Sequence, residues 1–160
     1  QGKLYEVDMR LRPSGRKGPV ATSWTSFKDY QTNEAWAWEH LALTRGRVIC
    51  GNSELSINIE DFRLQLIKNV RPEVAVRSLK EMREKIQKID LNNNKWEFKQ
   101  GIGRMQDIEL FSQLSTVING QVTRDVSSGL IAGSESGLLT NTQLDQILKT
   151  YKFLKDNLVF

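Results

Sequence analysis

Charged and apolar side chains alternate near the start of the chain. Glu6, Asp8, Arg10 and Arg12 are two residues apart, and the positions between them are apolar or aromatic. This alternation predicts a short β-strand over residues 4–12 with the four charges on one face, closed by a turn at residues 13–15. A carboxylate beside two guanidinium groups suits a site that holds a metal ion and phosphate oxygens. On the pattern alone, a solvated strand face with cross-strand ion pairs is the simpler interpretation.

Four stretches in a fixed order make the pattern more specific: residues 5–15, 27–31, 34–48 and 99–110. Together they resemble glutamine synthetase adenylyltransferase, the large bacterial enzyme that adds AMP to glutamine synthetase and removes it. The last stretch resembles the family segment K-x-G-x-G-G-(L/I/V)-x-D-I-E-F, except that Arg104 replaces a glycine and Leu110 replaces a phenylalanine. The resemblance extends to about residue 115 and is weak beyond it.

The resemblance implies a nucleotidyltransferase-like core in which three carboxylates hold Mg²⁺ and ATP is the substrate. Two of these carboxylates belong to a Gly-Ser-Asp-x-Asp motif, and a neighbouring strand supplies the third, which Asp8 matches. Asp8 is therefore the expected metal ligand and catalytic residue. The Gly-Ser-Asp-x-Asp motif is absent from this sequence. We expect it upstream of Gln1 in a longer protein, and we expect this fragment to be inactive by itself.

The resemblance also implies candidate nucleotide-binding residues, which are Arg10, Arg12, Glu39, Arg45 and Arg47. The two arginines that share a strand face with Asp8 would bind triphosphate or steady the carboxylate, or would pair with acids on adjacent strands. The other three match family positions that would line the cleft. Ion pairs that fasten a helix to the sheet are an equally good explanation for them.

Asp107 and Glu109 are further candidate cleft acids at the start of a predicted helix. Residues two apart on a helix point about 200° from each other, so both cannot face one site. Either one acid approaches the nucleotide cleft, or both serve helix capping and salt bridges between domains, which is the slightly favoured interpretation. His40 is interpreted as a packed or partly exposed side chain rather than a catalytic base, and Cys50 as a buried small apolar residue.

Apolar spacing predicts a mostly helical fold. Helices are expected over residues 24–31, from a cap at Asn33 to about residue 43, and over 55–70, 74–89, 105–118 and 141–158. Short strands are expected at 20–22 and 96–99, and a flexible Gly/Ser-rich loop at 129–137. The predicted class is α+β, mostly α: the remnant of a nucleotidyltransferase-like β core over residues 1–52, followed by a helical bundle over 53–160 that is incomplete at its C-terminus.

The amino-acid composition limits the classes of function that we expect for this protein. The 160 residues carry a net charge of +4 at a pI near 9.3, but the basic residues are scattered, so nucleic acid is not an expected partner. No apolar run is long enough for a membrane span. One cysteine and one histidine make a zinc site built from Cys and His implausible. The lone cysteine agrees with a reducing cytoplasm.

The sequence of residues 13–15 and 34–40 resembles that of the C-terminal, adenylylating half of the family enzyme. The expected reaction is transfer of AMP from ATP to a tyrosine of glutamine synthetase, with release of diphosphate. One alternative is the deadenylylating half, which removes AMP by phosphorolysis. Another is a non-catalytic regulatory helical module that binds PII-type signal proteins, and an exposed apolar patch on the helices would favour it.

Overall fold

The computed structural model describes residues 9, 12–89, 98–99, 101–121 and 123–157. These residues form seven α-helices and one short 3₁₀ helix, Gly15–Lys17. The helices are α1 (Trp24–Asn33), α2 (Ala37–Leu43), α3 (Ser53–Asn69), α4 (Pro72–Ile89), α5 (Met105–Asn119), α6 (Val126–Glu135) and α7 (Asn141–Asp156). The mostly helical part of the predicted class is therefore confirmed.

No β-strand occurs among the described residues. The strand predicted at residues 20–22 is wrong: this segment follows Pro19 without regular structure, and Val20 is exposed. Most of the strand predicted at 4–12 lies outside the described residues, and so do residues 96 and 97 of the one predicted at 96–99. The β core consequently stays a prediction.

Local capping signals place several helix starts correctly. The side chain of Ser23 accepts a hydrogen bond from the Ser26 amide, and Pro72 occupies the first turn of α4. Thr140 forms a reciprocal capping box with Gln143 at the start of α7. The predicted cap at Asn33 is wrong, because Asn33 is the last residue of α1.

Helix α5 lies at the centre of the molecule because it contributes to two apolar clusters. One cluster contains Leu41, Ile67, Ala75, Leu114 and Val117, so it joins α5 to α2, α3 and α4. The other contains Ile108, Val126, Leu130 and Leu154, so it joins α5 to α6 and α7. Burial of these side chains supplies the main driving force that holds the helices together.

Residues 129–137 do not form the predicted loop, since most of them belong to α6. Asp125 caps this helix by accepting a hydrogen bond from the Ser128 amide. Gly129 and Gly133 are buried against α5, so their missing side chains allow close contact between the two helices. Composition misled the prediction because glycine and serine mark loops when they are exposed, yet permit tight helix packing when they are buried.

No helix in the described part of the chain is both long and apolar enough to cross a bilayer.

Candidate functional site

Two of the candidate site residues, Asp8 and Arg10, lie outside the described residues. Arg12 is described, and its side chain closes a local turn. Its Nε donates to the backbone oxygen of Gly18 at 3.2 Å, and its Nη1 donates to the backbone oxygen of Met9. Arg12 therefore braces the chain on both sides of the 3₁₀ helix.

Glu39 links α2 to α1. Both of its carboxylate oxygens lie 3.1 Å from the hydroxyl of Tyr30, which donates to them, and Oε1 also accepts from the amide of Trp36. Burial raises the pKa of Tyr30, and the neighbouring Glu39 carboxylate raises it further because the two negative charges would repel. The Glu39 carboxylate thus caps the N-terminal end of α2 and also attaches α2 to α1.

An ion pair joins Arg45, which follows α2, to Glu109 of α5. The Arg45 guanidinium lies 3.3 Å from the Glu109 carboxylate, and the Tyr151 hydroxyl donates to the same carboxylate at 3.4 Å. Burial raises the pKa of Tyr151, and the Glu109 charge adds to this effect. These three side chains connect the segment after α2 to α5 and α7, and we call them the Arg45–Glu109–Tyr151 cluster.

Asp107 engages a different helix. Arg83 of α4 donates to it from two nitrogens at 2.9–3.2 Å, and the Gly103 amide donates to Oδ2 at 2.8 Å. Asp107 and Glu109 therefore bind separate cations on separate elements, as expected for two residues on different faces of one helix. Each acid already has a cationic partner.

Arg47 does not join either group of ion pairs. It is exposed on the segment between α2 and α3, where it borders an apolar groove with a volume of about 490 Å³. The groove walls include Trp24, Phe27 and Ile59. Among the described residues, Arg47 has no acidic partner, so its guanidinium is available to solvent.

The Arg83–Asp107 pair is suited to a double-mutant cycle. Arg83 is 43% exposed at its side chain, so solvent screening limits the interaction, and we expect a coupling energy of about 1 kcal/mol between Arg83→Gln and Asp107→Asn. Urea denaturation of the four proteins measures it. The Lys149–Asp145 pair, which is exposed on both sides, is the control and should give about 0.3 kcal/mol. Equal coupling in both cycles would contradict a special role for the bidentate geometry.

A third polar cluster was missed by the sequence analysis. Arg63, only 5% exposed, donates to the backbone oxygens of Leu43 and Thr44 at 3.1 Å and to Glu60 at 3.0 Å. Glu60 also pairs with Arg124 at 2.7 Å. The sequence contained an indication that Arg63 is buried, because Arg63 lies four residues after Ile59 and four before Ile67, on the apolar face of α3.

The described side chains do not converge to form a binding site for a divalent cation. No group of three or more His, Cys, Asp or Glu residues converges in the ranges that the structure describes. Asp107 and Glu109, the acids predicted near the cleft, are each bound to an arginine instead. The described residues by themselves therefore do not fit a Mg²⁺ site, and a site at Asp8 would need carboxylates from outside them.

Comparison with known proteins found a family model and several curated relatives to which parts of this chain are similar. Residues 1–62 match the family model described as glutamate-ammonia ligase adenylyltransferase. The chain is 45% identical over 119 residues to the bifunctional glutamine synthetase adenylyltransferase/adenylyl-removing enzyme of Rhizobium meliloti (strain 1021), which covers 74% of the chain and 12% of that relative. The enzyme of the same name from Bradyrhizobium diazoefficiens is 41% identical over 126 residues, covering 78% and 13%. The chain thus spans roughly an eighth of the length of these curated relatives.

Proposed function

Because this chain matches a segment of the glutamate-ammonia ligase adenylyltransferase family, we propose that it is part of an enzyme that transfers AMP from ATP to a tyrosine of glutamine synthetase. The observation that carries the proposal is the identity of 40–45% to relatives named for this activity over some three quarters of the chain. Glutamine synthetase is accordingly the proposed protein substrate. A PII-type regulator and a cytoplasmic location stay predictions.

The described helices would serve this activity as a scaffold. The segment after α2 lies within the matched residues 1–62, and the Arg45–Glu109–Tyr151 cluster attaches it to α5 and α7. Arg63 holds the C-terminal end of α2 by binding the carbonyl groups of Leu43 and Thr44. These contacts support a role in which the helical part fixes the position of the family-matched segment.

Asp8 is the proposed metal-binding and catalytic carboxylate, in combination with acids outside the described residues. A bound Mg²⁺ would neutralise charge on the triphosphate and stabilise the attacking and leaving oxygens. Asp8 supplies one hard oxygen ligand, and Mg²⁺ needs several. Arg10, Arg12 and Arg47 are proposed to contact phosphate oxygens. The proposal for Arg47 is supported by its exposure and by the lack of an acidic partner within the part of the chain that the structure describes.

The relatives' name includes removal of AMP, so the deadenylylating reaction is a second candidate function. Asp8 would act on the nucleotidyl group in whichever of the two reactions belongs to the half of the enzyme that contains this chain. The two reactions differ in the acceptor, which is a tyrosine hydroxyl in one direction and phosphate in the other.

The test replaces Asp8 by asparagine in the full-length protein and measures transfer of labelled AMP to glutamine synthetase. We expect transfer to fall by about 100-fold, since loss of a metal-bound charge removes several kcal/mol of transition-state stabilisation. Asp61→Asn is the matched control: this acid is exposed on α3 and has no partner among the described residues, so activity should change less than about twofold. We expect the 160-residue chain alone to transfer no AMP.

Two results would change the assignment. Transfer that survives Asp8→Asn, with loss only of phosphate-dependent AMP release, would identify the deadenylylating half. If neither reaction responded to Asp8→Asn, the proposed metal-binding role of Asp8 would be wrong.

A further inference from the structure

The backbone is held on both sides of Arg47 by side chains of α3, although Arg47 itself is exposed and has no acidic partner among the described residues. Before Arg47, the buried Arg63 side chain donates to the carbonyl oxygens of residues 43 and 44 at 3.1 Å. After Arg47, the Val48 amide donates to Oε1 of Glu60 at 3.4 Å. The segment that carries Arg47 is therefore fixed to α3 at two points.

Glu60 takes part in both of these contacts. Its Oε2 accepts from Nε of Arg63 at 3.0 Å and lies 2.9 Å from Nη2 of the same side chain. The third nitrogen, Nη1, is the one that donates to the two carbonyl oxygens. The Arg63 guanidinium thus lies between the Glu60 carboxylate and the backbone before Arg47, so its orientation depends on Glu60.

The residues between the two contacts also have partners. The amides of Arg45 and Gly46 donate to backbone oxygens of α2 at 3.2 and 3.0 Å, and the Arg45 side chain pairs with Glu109 of α5. The backbone at Arg47 is consequently flanked by fixed neighbours. The entropic cost of placing the Arg47 guanidinium on a ligand is then confined mainly to its side chain.

We propose that Glu60 is a positioning residue for Arg47, because it holds the backbone segment from which the Arg47 guanidinium reaches the phosphate oxygens of ATP. The inference rests on the proposed function, since it takes Arg47 as a phosphate contact. Glu60 does not itself touch the nucleotide. Its carboxylate is occupied by Arg63, Arg124 and the Val48 amide, and its negative charge would repel phosphate.

Replacement of Glu60 gives opposite results for a positioning role and for a purely electrostatic one. By charge alone, Glu60→Met would strengthen ATP binding, since it removes a negative group. Loss of positioning weakens ATP binding instead. We expect the KM for ATP in AMP transfer by the full-length protein to rise about sixfold in Glu60→Met, and about threefold in Glu60→Gln, which keeps an acceptor for the Val48 amide. A smaller folded fraction would lower kcat without raising this KM.

A double replacement tests whether Glu60 acts through Arg47. Arg47→Gln should raise the KM for ATP about tenfold, as expected for the loss of a charge-assisted hydrogen bond. Addition of Glu60→Met to Arg47→Gln should then change this KM by less than about twofold, because no guanidinium remains to be positioned. Arg124→Met is the matched control. Arg124 lies 2.7 Å from the same carboxylate but follows α5 in the chain, so its loss should alter the KM by less than about twofold.

Amide hydrogen exchange of the full-length protein, followed by mass spectrometry, tests the contacts without an activity assay. In the peptide that covers residues 44–48, exchange should be at least about fivefold faster in Glu60→Met than in the wild-type protein or in Arg124→Met. The reason is that the Val48 amide loses its acceptor and Arg63 loses the carboxylate that orients it.

Four results would overturn the proposal: an unchanged or lower KM for ATP in Glu60→Met, effects that multiply in the double variant, a wild-type KM in Arg47→Gln, and unchanged exchange at residues 44–48. Glu60→Gln preserves the size of the side chain, so it should fold even if Glu60→Met does not. The Asp8→Asn assay decides the proposed function separately. If that function failed, the exchange measurement would still show whether Glu60 holds the segment, and if it held, the KM values would test Glu60 and Arg47 alone.

Discussion

Replacement of Gly129 by alanine is expected to lower the free energy of unfolding by about 3 kcal/mol. A Cβ atom at this position would lie 2.1 Å from the Ser112 Oγ, 2.8 Å from the Ser112 backbone oxygen and 2.9 Å from the Thr116 Oγ1. The Ser112 hydroxyl cannot turn away without cost, since it donates to the backbone oxygen of Val126 at 2.9 Å. Helices α5 and α6 would have to separate, and urea denaturation measures the loss.

A control variant on the same helix separates packing from helix propensity. The side chain of Ser127 is exposed, so Ser127→Ala should change the stability by less than about 0.5 kcal/mol. Ser112→Ala removes the atom nearest to the added Cβ, and it should recover part of the stability of Gly129→Ala. Wild-type stability in Gly129→Ala would contradict the close contact between α5 and α6.

Replacement of Arg63 by methionine is expected to cost about 3–4 kcal/mol. Arg63 is 5% exposed and donates to the carbonyl oxygens of Leu43 and Thr44 and to Glu60. Methionine fills much of the same space but donates nothing, so two backbone acceptors and part of a carboxylate lose their partner. Thermal and urea denaturation both measure the effect.

Arg124→Met is the matched control for this prediction. Arg124 binds the same Glu60 carboxylate at 2.7 Å, but its side chain is 49% exposed. Water can replace the lost contact there, so the cost should be less than about 1 kcal/mol. Equal losses in the two variants would contradict the importance of burial at Arg63.

The same cluster predicts a dependence on pH. Burial raises the pKa of Glu60, but hydrogen bonds from Arg124 and Arg63 outweigh this, so the pKa in the folded protein lies below its ordinary value of 4.5. The ionised carboxylate therefore adds stability above pH 4.5, and this contribution is lost as the pH falls through the lower folded pKa. Arg63→Met should show a weaker loss of stability on acidification than the wild-type protein, and an unchanged acid dependence would contradict this account.

Much of the helical structure was predictable because its signals are local. Apolar residues at helical spacing indicated α3, α4, α5 and α7 to within a few residues of their ends. Caps such as Ser23 and Thr140 bind amides only three residues away, so their effect depends little on the remainder of the fold. The order of motifs along the chain also predicted the similarity to the glutamate-ammonia ligase adenylyltransferase family model, which matches residues 1–62, since such a similarity needs no knowledge of contacts.

The errors arise where a residue's role depends on distant neighbours. Gly129 and Gly133 indicated a loop by composition, yet a partner helix makes their small size an advantage within α6. Arg63 was not recognised as a structural residue, because the carbonyl groups it binds lie 19 and 20 residues earlier.

The candidate site shows the same division between local and long-range information. The sequence by itself determined which acids and arginines were candidates, and that Asp107 and Glu109 must point apart on one helix. Only the tertiary structure decided that Asp107 binds Arg83, 24 residues away, and that Glu109 binds Arg45 and Tyr151, the latter 42 residues away. Pairing across such distances is set by how the helices pack through their apolar clusters, and helical periodicity alone does not encode which faces meet.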